Sequence, residues 1–135
     1  MHACHYANRR LAGWVEGMTF DDVPMIEVLG TMGEEALDGL PFGVVGLDSQ
    51  NTVAFYNKHE ERYSGLPRDI VVGRHFFSDV APCMNNYMVA ERLAETELDV
   101  TLPYVLTFRM RPTPVRLRLL RGSEAPRRWV LVARV

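Results

Sequence analysis

The sequence predicts an α+β fold: a five-stranded antiparallel sheet with helices on one side and an N-terminal cap. Three observations predict it. Short strand-like segments occur first as a pair, FGVVGLD and NTVAFYN, and later as a run of three with period-two alternation, YVLTFRM, VRLRLLR and WVLVARV. Short helical patterns lie between the two groups, and the first 36 residues, of mixed composition, lie outside both strand groups.

Residues 1–36 have mixed composition with short helical stretches, TFDDVPMIEVLG and the start of GEEALDGL, and are expected to form a cap, separate from a domain over 37–135. In the first strand pair the intervening DSQN supplies the polar residues that a tight hairpin prefers. Residues 57–82 are read as short helical turns, broken at SGLP, Gly73 and Pro82, of a kind that can wrap a ligand. Residues 86–98, NYMVAERLAETEL, place Met88, Arg92 and Glu95 at helical spacing without Gly or Pro and predict the longest helix. In the last three strands Tyr104, Leu106, Phe108 and Met110 share one face, as do Val115, Leu117 and Leu119.

A chain of 135 residues, 47% apolar and 24% charged, is sized and composed for one folded core. It lacks both the roughly 18 apolar residues of a membrane span and a secretory leader, so a cytoplasmic protein with no membrane contact is expected. Its two cysteines, Cys4 and Cys83, read as reduced thiols. The cluster His2, Cys4 and His5 has no second group to complete a four-ligand zinc site, so no metal is expected. The net charge of −2 conceals an asymmetry: residues 101–135 carry eight arginines against one acid, net +7, and residues 1–100 carry seven bases against sixteen acids, net −9. Because the arginines alternate with apolar residues in VRLRLLR, a solvated or internally paired sheet face is expected rather than a nucleic-acid surface. Cap acids Asp21, Asp22, Glu27, Glu34 and Glu35 are the expected partners of Arg116 and Arg118, in a latch partly screened by salt.

Taken alone, Cys83 would be a small buried hydrophobe. Its context changes that. The runs LDGLPFG, FYNKHEERYSG and GRHFFSDVAPC, with MRPTP at 110–114 and the final WVLVARV, together resemble the photoactive yellow protein family of PAS-fold sensors from about Leu37 to Val135. The resemblance implies a PAS-like sheet and a 4-hydroxycinnamic acid (p-coumaric acid) chromophore in thioester linkage to Cys83. It implies that Tyr56 and Glu60 hydrogen-bond the chromophore's phenolate, and a buried phenolate requires such donors. Glu61 competes with Glu60 but lies about 100 degrees further round a helix. Ser64 stands where the family has a hydroxyl supporting the tyrosine, though an exposed loop serine is as good a reading. Met110 matches a methionine near the chromophore, and is equally well a plain core residue. The arginine that usually covers the ring aligns with Leu66, with Arg68 and Arg74 nearby in sequence.

The function so implied is a blue-light photoreceptor domain, not an enzyme. Photoisomerisation is followed by proton transfer from Glu60, which leaves a carboxylate without a partner in the core, and by release of the N-terminal cap. A PAS module binding a ligand or a protein without a covalent chromophore is the alternative, and a cysteine enzyme using His75 as its base ranks last. The chain ends after its last strand, so a separate signalling protein or a fused output domain is the expected partner, with the domain itself a monomer or weak dimer.

Overall fold

The computed structural model describes residues 19–22, 25–107, 111–122 and 127–134. In chain order these form helices α1 (Met25–Thr31) and α2 (Glu34–Asp38), strands β1 (Gly43–Leu47) and β2 (Val53–Tyr56), and helices α3 (Lys58–Ser64) and α4 (Arg68–Val71). A π-helical turn (Phe76–Val80) and two 3₁₀ turns (Pro82–Met84, Arg92–Ala94) lead to strands β3 (Leu98–Leu106), β4 (Thr113–Arg121) and β5 (Arg128–Arg134). The strands make one antiparallel sheet in the order β2-β1-β5-β4-β3, the predicted fold class.

The β1–β2 hairpin closes as its turn residues dictate. Asp48 accepts from the backbone N–H groups of Gln50 and Thr52 at 2.8 and 2.9 Å, and Asn51 takes the left-handed conformation (φ 64°) that asparagine tolerates. Alternation along β1 and β5 then sends side chains to both faces, and both faces are covered. Val45, Leu47, Val130 and Val132 join the cluster under α3, α4 and the π-turn, with Tyr56, Phe76, Phe77 and Met84. Val44, Trp129 and Leu131 join a second cluster on the opposite face with Phe20, Met25, Leu29, Leu37, Leu40 and Phe42. The described residues between 19 and 42 therefore cover the sheet face turned away from α3. Among the described residues no helix is long and apolar enough to cross a membrane.

Two elements depart from the sequence expectation. Residues 86–98 are not a helix: they form isolated turns and the 3₁₀ turn Arg92–Ala94, and Glu95 is already extended. Here Arg92 and Glu95 are an exposed ion pair, while the buried residues before Leu98, where β3 begins, are Val89 and Leu93, too few to hold a helix against the core. The side chain of Asn86 accepts from the N–H groups of Met88 and Val89, turning the chain locally. Strand β3 accordingly begins at Leu98, six residues before the expected Tyr104, and ends its described course at Leu106. The alternation of Val100, Leu102 and Tyr104 with exposed Asp99, Thr101 and Pro103 marks its earlier half, and Pro103 is accommodated because β3 is an edge strand.

The charged latch forms in part. Arg116 and Asp21 pair at 2.8 Å, and Arg118 donates to the carbonyls of Phe20 (3.0 Å) and Asp22 (2.7 Å). The carboxylate held by Arg118 is that of Asp99 on β3, whereas Glu34 pairs with Arg68 at 3.5 Å instead of with the sheet.

Candidate functional site

Helix α3 presents the central residues, and its two caps fix how. At its start Asn57, only 2% exposed, makes four side-chain hydrogen bonds: its Oδ1 accepts from Glu60 (3.1 Å) and Val44 (2.9 Å), and its Nδ2 donates to the carbonyls of Leu37 (2.9 Å) and Phe42 (3.0 Å). At its end Gly65 adopts φ 79°, a left-handed cap that returns its N–H to Glu61. The helix is thereby set against β1 with Glu60 and Ser64, four residues apart, both buried on its inner face. Glu61 instead accepts from the N–H of Arg68 at 2.6 Å, outside the core.

The hydroxyls of Tyr56 and Ser64 lie 2.6 Å apart in the interior, and Ser64 also accepts from the N–H of Leu66. Burial, followed by the nearby charge of Glu60, raises the Tyr56 pKa above the usual 10, so the phenol is a donor throughout the physiological range. Glu60, 2% exposed, gives both carboxylate oxygens to Arg134 on β5, at 2.6 and 3.2 Å. Among the described residues no hydrogen bond joins Tyr56 to Glu60. The structure thus unites Tyr56 with Ser64 and gives Glu60 a cationic partner.

Cys83 sits half-buried on the 3₁₀ turn Pro82–Met84 and packs against the apolar cluster that contains Tyr56, Phe76, Phe77 and Ala81. Its carbonyl oxygen accepts from the Tyr104 hydroxyl and from Asn86 Nδ2 at 3.2 Å, and Asn86 also donates to the Tyr104 oxygen at 2.7 Å. Leu66 packs against the same cluster. Neither neighbouring arginine takes its place: Arg68 binds Asp38 and Glu34, and Arg74 donates to the carbonyl of Ile70 at 2.7 Å. His75 is occupied as the cap of the π-turn, its Nδ1 accepting from Ser78 at 3.1 Å. Met110, like the group His2, Cys4 and His5, lies outside the described residues.

Sequence reasoning did not single out Asn57, Tyr104, Asn86 or Arg134. Asn57 had a local signal, a capping residue immediately before KHEE. Arg134 had none, because 74 residues separate it from Glu60 and only the sheet order brings them together.

The PAS fold family matches residues 31–121. The photoactive yellow protein of Rhodothalassium salexigens is 30% identical over 125 residues, covering 90% of this chain and 100% of the relative. That of Halochromatium salexigens is 32% identical over 111 residues, covering 79% and 89%. Among solved structures, the photoactive yellow protein domain of the sensor histidine kinase Ppr from Rhodospirillum centenum has a TM-score of 0.73 at 31% identity, covering 80% of this chain and 98% of that one.

Proposed function

The chain belongs to the photoactive yellow protein family of PAS-fold proteins, and from that premise we propose that it is a blue-light receptor domain carrying 4-hydroxycinnamic acid as a thioester on Cys83. The observation that carries this reading is the placement of half-buried Cys83, on a turn clamped by Tyr104 and Asn86, against the same apolar cluster that surrounds the Tyr56–Ser64 hydroxyl pair. Such residues fit an aromatic acyl group: a sulfur reachable for acylation, apolar walls for a ring, and a hydroxyl pair able to donate to a phenolic oxygen. When bound, that group supplies the visible absorption and a double bond whose geometry light can change.

The protein's own residues do the rest. Cys83 tethers, Tyr56 donates, and Ser64 holds the Tyr56 hydroxyl in place. Met110, as the family resemblance implies, belongs to the wall. Glu60 is the stored proton, carried on a carboxyl oxygen while light has not acted and given up toward the phenolic oxygen afterwards. The N-terminal cap, residues 1–36, is the part released. Asn57 links the two events, because one side chain bonds the N–H of Glu60 and the carbonyls of Leu37 and Phe42 beneath the cap. A sensor of this kind is not an enzyme. The domain of Ppr belongs to a sensor histidine kinase, and by the same logic the partner here is a fused output domain or a separate signalling protein, read by a domain that is itself a monomer or weak dimer in the cytoplasm.

The test is the absorption spectrum of purified protein treated with an activated ester of 4-hydroxycinnamic acid. A blue-absorbing band is expected, bleached by light, and absent from Cys83→Ala. Protein that stays colourless, or colour that survives Cys83→Ala, overturns the reading and favours a PAS module without covalent pigment.

A further inference from the structure

The pairing of Glu60 with Arg134 changes the fate of the carboxylate that forms when Glu60 loses its proton. On sequence grounds alone that charge would be stranded in the core. Instead, Arg134 lies beside it with both oxygens in reach of its guanidinium fork. The space for this pair is built into the sheet. A Cβ at Gly43 would collide with Glu60 Oε1 and stand 3.2 Å from Arg134 Nη1, so a side chain at that β1 position would force the carboxylate to move. The guanidinium also lies over the Tyr63 ring, whose centroid is 5.7 Å away. Arg134 further lines a cleft with Thr19, Phe20 and Phe42, so the cation stands between α3 and the segment that covers the opposite sheet face.

We propose that Arg134 is the counter-ion that receives Glu60 whenever Glu60 is ionised, and that it sets the lifetime of the light-formed state. This rests on the reading of Glu60 as proton donor. The O–H bond of Glu60 breaks, the proton passes to the phenolic oxygen beside Tyr56, no electrons change hands, and the new carboxylate turns to Arg134. Proton loss thus creates an ion pair, and recovery requires that pair to open. Arg134 is a positioning residue: it acts through Glu60 and touches no pigment.

Two measurements test it. In pigment-free protein, a double-mutant cycle of Glu60→Gln and Arg134→Gln is read by urea unfolding. Arg134→Gln is expected to lower the folding equilibrium constant at least about tenfold, and by less than about threefold when Glu60→Gln is already present, because removing one partner of a buried pair leaves the other charge uncompensated. Gly43→Ala, which displaces the carboxylate, should behave as Arg134→Gln does; Arg134→Lys, which keeps the charge and loses the fork, should fall between. Equal losses in both backgrounds overturn the proposal. In pigmented protein, Arg134→Gln should shorten the light-formed state at least about tenfold, with no change in the Glu60→Gln background. An unchanged lifetime, or the same change in both backgrounds, overturns it. Should no pigment attach, the photoreceptor reading fails and the role of Arg134 in light recovery fails with it, while the pigment-free cycle still decides whether the two residues are a coupled pair.

Discussion

At the scale of single residues, the hydroxyl of Tyr56 is committed to Ser64 at 2.6 Å within an apolar surround. Tyr56→Phe leaves Ser64 with its bond from Leu66 alone, and is expected to cost about 1 kcal/mol in urea unfolding, the usual worth of a buried neutral hydrogen bond. Asn57→Ala removes four bonds at once and should cost about 3 kcal/mol, more than an ordinary helix cap, because two of the bonds fasten carbonyls outside the helix. His59 offers a check by pH. Burial, then the neighbouring Arg134 and Arg62, hold its pKa below the ordinary 6.5, so the unfolded chain takes up a proton more readily than the fold. Stability should therefore fall as pH drops below about 6.5 and level off once the folded form is protonated too; His59→Gln should flatten that part of the profile. Tyr56, Ser64 and Cys83 could be nominated from the sequence because they sit inside two contiguous motifs, FYNKHEERYSG and GRHFFSDVAPC. Asn57 was overlooked within the first of those motifs, and Arg134 lay in WVLVARV without any mark of its partner.

At the scale of elements, α3 depends on its ends. Gly65 holds φ 79°, where a side chain strains the backbone, so Gly65→Ala should destabilise the fold by about 1 kcal/mol and loosen the last turn, which carries Ser64; hydrogen exchange of the α3 amides would report it. The hairpin and the last two strands were readable because turn chemistry and period-two alternation are local. The stretch 86–98 was misread for a reason equally local. Helix propensity and the absence of Gly and Pro describe what a segment tolerates, but the spacing that suggested a helix ran through Met88, Arg92 and Glu95, of which the last two form a surface pair. What decides the segment is Asn86, which turns the backbone at Met88 and Val89 and, by holding the Cys83 carbonyl with Tyr104, ties it to the thiol-bearing turn.

At the scale of the whole molecule, part of the charge asymmetry of +7 against −9 is met where the β4 arginines contact the segment that covers them. The two arginines facing that segment do different work. Arg116 meets Asp21 where both are open to solvent, and its hydrogen bond, aided by its charge, holds the Asp21 carboxyl below its usual range; such a pair is screened by salt and lost as acid protonates the carboxylate. Arg118 is buried and binds two backbone carbonyls as well as Asp99, contacts that salt does not screen in the same way. The expected outcome is therefore asymmetric. In protein kept dark, Arg118→Met should speed hydrogen exchange in α1 about tenfold or more, because it leaves the carbonyls of Phe20 and Asp22 without their donor and Asp99 without its cation. Arg116→Met, or raised ionic strength on the unaltered protein, should change α1 exchange by less than about threefold. If salt alone frees α1 as fully as Arg118→Met does, surface charge holds the covering layer, and the buried arginine is only a bystander to its release.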